Sequence, residues 1–349
     1  MNGAIELRPT LDPVLFIGGA GRSGTTLLRN LLTAHPKLAV PGESYFIYNV
    51  YNQLRSIDAV DDPWIAWQLI QRNRFFTQWR LDVSFVEELL AANKPIWYAD
   101  LLRLLFAAYA ASKGKSRSAD KTPLHVQHFS WLASQFPSSR FVHVIRDPRA
   151  VCMSGALQPW KRRGIAGEAA DWARAIRAGL TALDRFGPRV LEVRYERLVA
   201  DPEVELRRVC EHARLEYSPT MLDYGRQRDL LPDRHHMSAT GPPRQDLRTW
   251  RSGLEAGDIA LIEAIAGREM DATGYERVGG ILTVRPAYEL LSLRAGDAVD
   301  LWTTFVAPIL GGALRGMGRR LGGSRVATLG TTKRHVVPRP SRKRITVPS

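Results

Sequence analysis

The segment Val14-Leu15-Phe16-Ile17-Gly18-Gly19-Ala20-Gly21-Arg22-Ser23-Gly24-Thr25-Thr26-Leu27-Leu28 decides the architecture. Val14–Gly18 is a short apolar run of strand type that enters a glycine-rich turn over Gly18–Gly24. Thr25–Leu32 then places Leu27, Leu28, Leu31 and Leu32 on one helical side, and His35-Pro36 ends the helix. Strand, glycine turn and helix form the opening unit of a parallel α/β sheet. In that context backbone N–H groups and the helix dipole converge on an anion. The glycines allow close backbone approach, and Ser23, Thr25 and Thr26 add hydroxyl donors.

Working outward, residues 60–112 carry Trp, Leu, Phe and Ala at helical spacings and predict several helices. Leu124–Phe136 reads as one further helix stopped by Pro137. Arg140–Ile145 is a strand running into Arg146-Asp147-Pro148, where the next helix begins, and Arg189–Tyr195 is a third strand. Asp201-Pro202 offers an N-cap followed by Pro at the first helical position, with Val204, Leu206, Val209 and Cys210 expected to face inward. Gly225–Ser252 lacks any period and reads as a long, lid-like loop, and Glu255–Met270 is helical again. The expected fold is α/β, a central parallel sheet flanked by helices. It divides into a domain over residues 1–284 and a C-terminal helix with a basic tail over 285–349.

The spacing of Gly19 and Gly24 is that of the nucleoside-triphosphate loop, but Thr25 stands where that loop has its lysine. The positive charge sits inside the loop, at Arg22. A triphosphatase would lack the ammonium that reaches the β and γ phosphates, so a shorter phosphate chain fits better. A kinase or nucleotidase is the competing enzyme reading. A binding protein that keeps the fold for docking is the competing non-enzyme reading.

Arg22-Ser23-Gly24-Thr25-Thr26-Leu27-Leu28 resembles the 5′-phosphosulfate loop of the sulfotransferases that use PAPS (3′-phosphoadenosine 5′-phosphosulfate), in the form seen in bacterial and Golgi-type members. The resemblance implies that Ala20, Gly21, Arg22, Ser23, Gly24, Thr25 and Thr26 hold the 5′-phosphosulfate, with Arg22 neutralising charge on the bridging and leaving oxygens. Phe141–Ser154 is similar to the family's second motif, which implies that Arg146 and Ser154 bind the 3′-phosphate. Read from the residues alone, the alternative is an Arg146 paired with Asp147 or a neighbouring carboxylate at the surface. Arg194-Tyr195-Glu196-Arg197-Leu198 resembles a segment whose tyrosine lies near the adenine, although a core tyrosine reads equally well at Tyr195. Trp250-Arg251-Ser252-Gly253-Leu254 resembles a late element that closes over the 3′-phosphate, here with Arg251 as its cation. Together these matches imply the P-loop-NTPase-like sulfotransferase fold over roughly residues 13–280, PAPS as co-substrate, adenosine 3′,5′-bisphosphate as product, and no metal requirement.

An acceptor hydroxyl must lose its proton during such a transfer. Lys121-Thr122-Pro123 has proline where the cytosolic members of the family carry a histidine base. Pro41-Gly42-Glu43-Ser44 resembles the glutamate segment of the protein-tyrosine and related members, which implies Glu43 as base and Lys121 as the cation on the transferred group. An exposed loop carboxylate is the plain alternative for Glu43. His125 and His128 are reserve bases expected on a helix surface, and His235-His236 has no partners at metal-ligand spacing.

The net charge of +14 is localised. Residues 315–349 hold ten basic and no acidic residues, and 14 − 10 leaves +4 on the first 314, so no nucleic-acid surface is expected of the fold. Two cysteines exclude a disulfide framework. Met1–Pro13 carries Glu6 and Asp12 and does not read as a signal peptide. Leu301–Leu314 is broken by Pro308 and falls short of the roughly 20 residues that span a bilayer. The expectation is a cytoplasmic protein. Its end is either a solvated tail or a polybasic segment lying on an anionic membrane. The acceptor, a glycan, lipid, natural product or tyrosine, is left open.

Overall fold

The computed structural model describes residues 12–93, 97–156, 164–226 and 249–279. Four parallel strands form the main sheet: β1 Leu15–Gly19, β4 Asp120–Lys121, β5 Arg140–Ile145 and β6 Val190–Arg194, in the order β4-β1-β5-β6. Phe16 pairs with Asp120 on one side of β1 and with Phe141 on the other, and Val144 pairs with Val193. Two short strands, β2 Leu38–Ala39 and β3 Arg117–Ser118, pair separately. The helices are α1 Thr25–Thr33, α2 Phe46–Ser56, α3 Pro63–Gln71, α4 Arg74–Thr77, α5 Val83–Asn93, α6 Tyr98–Ser112 and α7 Phe129–Gln135. They continue with α8 Pro148–Ala156, α9 Gly164–Phe186, α10 Tyr195–Ala200, α11 Pro202–His212, α12 Trp250–Gly253 and α13 Ala256–Thr273.

Strand alternation sorts the core into two layers. Leu15, Ile17, Val142, Val144 and Val193 pack with Leu27, Leu28, Leu31, Leu206 and Val209 of α1 and α11. Phe16, Phe141 and Ile145 face the other way, onto a larger cluster built from α2, α3, α6, α7 and α9. The Phe16 ring meets those of Phe106, Phe136, Phe141 and His125 there. The expected parallel α/β sheet with helices on both faces is the architecture found.

Three local expectations change. Leu124–Phe136 is not one helix: Pro123–His128 is a 3₁₀ turn and α7 follows it. A 3₁₀ turn brings residues three apart onto one side, so His125 and His128 both face Tyr48. Val204 is 51 % exposed, because it lies across α11 from Leu206; Leu206, Val209 and Cys210 are buried as expected. Asp201 caps α11 by accepting from the Val204 N–H, and Pro202 opens it. Trp250–Gly253, expected within the long loop, is helical, whereas residues 227–248 lie outside the described residues. The 284/285 boundary, Leu301–Leu314 and the basic tail also lie outside them. Among the described residues, no helix is long and apolar enough to cross a membrane.

Candidate active site

The glycine loop leaves the end of β1 and turns into α1 through two left-handed residues, Arg22 at φ 70° and Gly24 at φ 93°. Such turns point successive N–H groups into one concavity. Gly24 is the N-cap of α1 and contributes no capping side chain, and a Cβ there would lie 2.3 Å from Cδ2 of Tyr195. Ser23 Oγ is buried with no hydrogen-bond partner, inside a loop that also brings in Arg22. A buried hydroxyl beside a cation-bearing nest suits an anion, whose oxygens would accept from it.

The second segment reaches the same place from 124 residues away. Arg146 directly follows β5 and donates from Nη1 to the Arg22 carbonyl at 3.1 Å, while its guanidinium lies 4.2 Å from the centre of the Tyr195 ring. Trp172 of α9, fully buried, fixes this corner by donating to the Arg146 carbonyl at 2.9 Å. Asp147 is engaged by Arg149 at 2.7 Å, and Arg149 in turn by Glu263 at 2.9 Å. Ser154 of α8 accepts from Arg22 Nε at 3.1 Å. Burial and the neighbouring Arg146 both pull the Arg22 guanidinium below its ordinary value, opposed by the Glu168 carboxylate. Two guanidiniums forced together beside helix N–H groups are relieved by an anion between them.

Tyr195 is half-buried: it packs against the core layer of α1 and α11 and also lines the loop, in contact with both Gly24 and Arg146. Arg251 is exposed and stacks 4.3 Å over Trp250, whose other face is covered by Arg149 at 3.9 Å. Gly253 sits tightly against Met153, so α12 packs on the helix that carries Ser154.

The opposite end of the loop carries the other pair. Lys121, fully buried at the end of β4, donates from Nζ to Glu43 Oε1 at 2.5 Å and to Thr26 Oγ1 at 3.2 Å. Glu43 is not a free loop carboxylate: its side chain is 21 % exposed and bound to this lysine. Burial lowers the Lys121 ammonium, and the Glu43 carboxylate opposes that shift. Tyr45 hydrogen-bonds to Glu43 as well, and burial together with that carboxylate raises its phenol well above the ordinary value.

The two histidines do not lie on an exposed helix surface. His125 is fully buried, with Nε2 on Asp120 at 2.8 Å and Nδ1 on the Tyr48 hydroxyl at 2.5 Å, so both ring nitrogens are engaged in the core. His128 stacks on Tyr48 at 4.0 Å, and burial, with His125 nearby, lowers it to about 4. His235 and His236 lie outside the described residues. Among the described residues no cluster of three or more His, Cys, Asp or Glu could hold a metal ion. Sequence reasoning missed Arg29, Ser44, Tyr45, Trp172 and Glu168. Only Ser44, next to Glu43 in the quoted segment, lay within reach of motif reading.

A parallel sheet whose first strand ends in a glycine loop, with a second cationic segment at the neighbouring strand end, defines an α/β protein with a candidate site for anionic groups. The family model described as the sulfotransferase family matches residues 13–219. The chain belongs to the sulfotransferase family, whose members are PAPS-dependent transferases. Nodulation protein NoeE of Sinorhizobium fredii is 25 % identical over 76 % of this chain and 67 % of its own length. The omega-hydroxy-beta-dihydromenaquinone-9 sulfotransferase Stf3 of Mycobacterium tuberculosis is 24 % identical, covering 76 % of each chain. Protein-tyrosine sulfotransferase 2 of Gallus gallus is 27 % identical over 61 % of this chain, which corresponds to 54 % of the chicken protein. Among solved structures, the sulfotransferase domain of the Synechococcus PCC 7002 olefin synthase superposes with a TM-score of 0.56 at 20 % identity. It covers 79 % of this chain and 98 % of that domain, and the likeness is one of fold.

Proposed function

We propose that this enzyme moves the sulfuryl group of PAPS onto an acceptor hydroxyl, with Glu43 as the base and adenosine 3′,5′-bisphosphate as the product. The observation that carries the proposal is the Lys121 ammonium touching both Glu43 and Thr26 of the anion loop. It sets a carboxylate and a cation together at one end of that loop. Arg146 and Ser154 stand at the other end, where a 3′-phosphate belongs, and Tyr195 supports Arg146 beside the adenine side. Arg22, which donates to Ser154, is assigned to both anion positions, and Arg251 to the 3′-phosphate.

In this assignment the N–H groups of Ala20–Thr26 and the hydroxyls of Ser23, Thr25 and Thr26 orient the phosphosulfate. Arg22 and Lys121 offset the charge that develops as the bond between sulfur and the bridging oxygen breaks. Glu43 takes the proton of the acceptor hydroxyl as its oxygen bonds to sulfur, and the bisphosphate leaves with the electron pair of the broken bond. The positive charge in this scheme comes from side chains, so transfer needs no metal ion. The protein is read as cytoplasmic, with its basic end available to an anionic surface.

Incubation of the pure protein with ³⁵S-labelled PAPS and extracts of its own cell tests the assignment and identifies the acceptor class. Labelled product should form in the presence of a magnesium chelator. With that acceptor, Glu43→Gln should lower kcat by roughly 10²–10⁴ while leaving bisphosphate affinity within a few-fold. Undiminished turnover in Glu43→Gln would remove Glu43 as the base. A response to ATP with magnesium and none to the bisphosphate would replace the whole reading with a kinase.

A further inference from the structure

Glu43 sits on a loop between β2 and α2, and a glutamate there has three side-chain torsions to order before it can act as a base. The loop is held at successive residues. Arg29 of α1, buried at 1 % exposure, donates from Nη2 to the Val40 carbonyl at 2.8 Å and from Nε to the Pro41 carbonyl at 3.0 Å. Trp79 donates to the Gly42 carbonyl at 3.0 Å. Ser44 then contributes both its backbone and its side chain. Its N–H donates to Thr122 Oγ1 at 2.8 Å, and its hydroxyl donates to Asp120 Oδ2.

Asp120 and Thr122 flank Lys121 in sequence, and along extended chain such neighbours face the side opposite to it. Ser44 therefore docks on the two residues that bracket the lysine, while the preceding Glu43 docks on the lysine itself. All of Ser44, Asp120 and Thr122 are fully buried, and Asp120 is backed by His125 at 2.8 Å. The two adjacent residues thus read the strand end in register: a shift of the loop by one residue would bring Ser44 to the ammonium and Tyr45 to Asp120, or, in the other direction, Gly42 to the ammonium and Glu43 to Asp120.

We propose that Ser44 is a positioning residue for the reaction: its double contact with Asp120 and Thr122 sets the register that holds the Glu43 carboxylate on Lys121. The proposal rests on Glu43 being the base, but its test does not. Lys121 reports the contact directly, because its ammonium is lowered by burial and raised by Glu43. When Glu43 leaves, the opposing influence goes and the lysine titrates lower.

The experiment follows the Lys121 titration by NMR of lysine labelled with ¹⁵N at Nζ, the signal being assigned with Lys121→Arg. It is run on the full chain, with adenosine 3′,5′-bisphosphate affinity as the check of folding. Glu43→Gln should lower the Lys121 titration. Ser44→Ala should reproduce most of that fall, and Thr122→Val, which removes the acceptor of the Ser44 N–H with little change of shape, should reproduce part of it. In the Glu43→Gln background Ser44→Ala should add nothing further, whereas a merely structural serine would perturb both backgrounds alike. Retained bisphosphate binding with an unmoved Lys121 titration in Ser44→Ala and Thr122→Val would overturn the proposal. Normal acceptor turnover in Glu43→Gln would instead overturn the base, leaving the register contact standing.

Discussion

Replacing Arg146 with alanine tests whether the two anion segments act on one ligand. The side chain is 8 % exposed, donates to the Arg22 carbonyl and lies against Tyr195, so it is held in place before any ligand arrives. A charge-assisted hydrogen bond from such an arginine to a phosphate contributes about 1.5–3 kcal/mol. Its loss should weaken adenosine 3′,5′-bisphosphate binding by roughly 10- to 150-fold. At a ligand concentration about 1,000 times the wild-type Kd, the native state gains about 4 kcal/mol; a 100-fold weaker variant gains only about 1.4 kcal/mol under the same conditions. The thermal shift should therefore fall to about one-third, and calorimetric titration should give the Kd directly. Arg146→Lys keeps the charge but loses the planar fork, and should fall between the two. The unliganded melting temperature must be compared first, since the Arg22 carbonyl also loses its donor. Bisphosphate affinity in Arg146→Ala within two-fold of wild type would refute the assignment of this arginine to the ligand.

Gly24→Ala forces a side chain into a φ of 93° and onto Tyr195, and should destabilise the protein by more than about 1 kcal/mol while abolishing most bisphosphate binding; thermal melts and calorimetry check both. His143 is buried on β5 and burial lowers it from an ordinary 6.5 to about 4, so the folded state stays neutral where the unfolded chain takes up a proton. Its contribution is complete above pH 6.5 and is lost as pH falls from there toward 4, amounting to roughly 3 kcal/mol; denaturant titrations of His143→Leu should show a correspondingly flatter acid slope than wild type. Deleting residues 315–349 removes ten positive charges and should leave bisphosphate binding intact while weakening association with phosphatidylserine vesicles, an effect that added salt should mimic. Absence of vesicle binding by the full chain would leave the tail as a solvated segment.

The sequence by itself determined the β1–loop–α1 unit, the strand at Arg140–Ile145 and the capped helix after Asp201. Each is written in neighbouring residues: an apolar run, a glycine turn, a cap and a proline. Local periodicity also placed the strand end at Arg146 and the helix bearing Ser154. It was silent on what those residues meet. Arg22 reaches Ser154 across 132 residues and Lys121 reaches Glu43 across 78, and both meetings follow from the strand order β4-β1-β5-β6, which lays chain-distant strand ends side by side. The tertiary structure alone decided that His125 is a core residue, because a 3₁₀ turn after Pro123 rotates it onto Asp120 and Tyr48 where an α-helix was expected. It also decided the contacts of Arg29, Trp172 and Ser44, whose partners are backbone atoms or buried side chains on other elements. Hydrogen bonds of that kind depend on where two segments come to lie in space, and a pattern along one segment carries no record of the other.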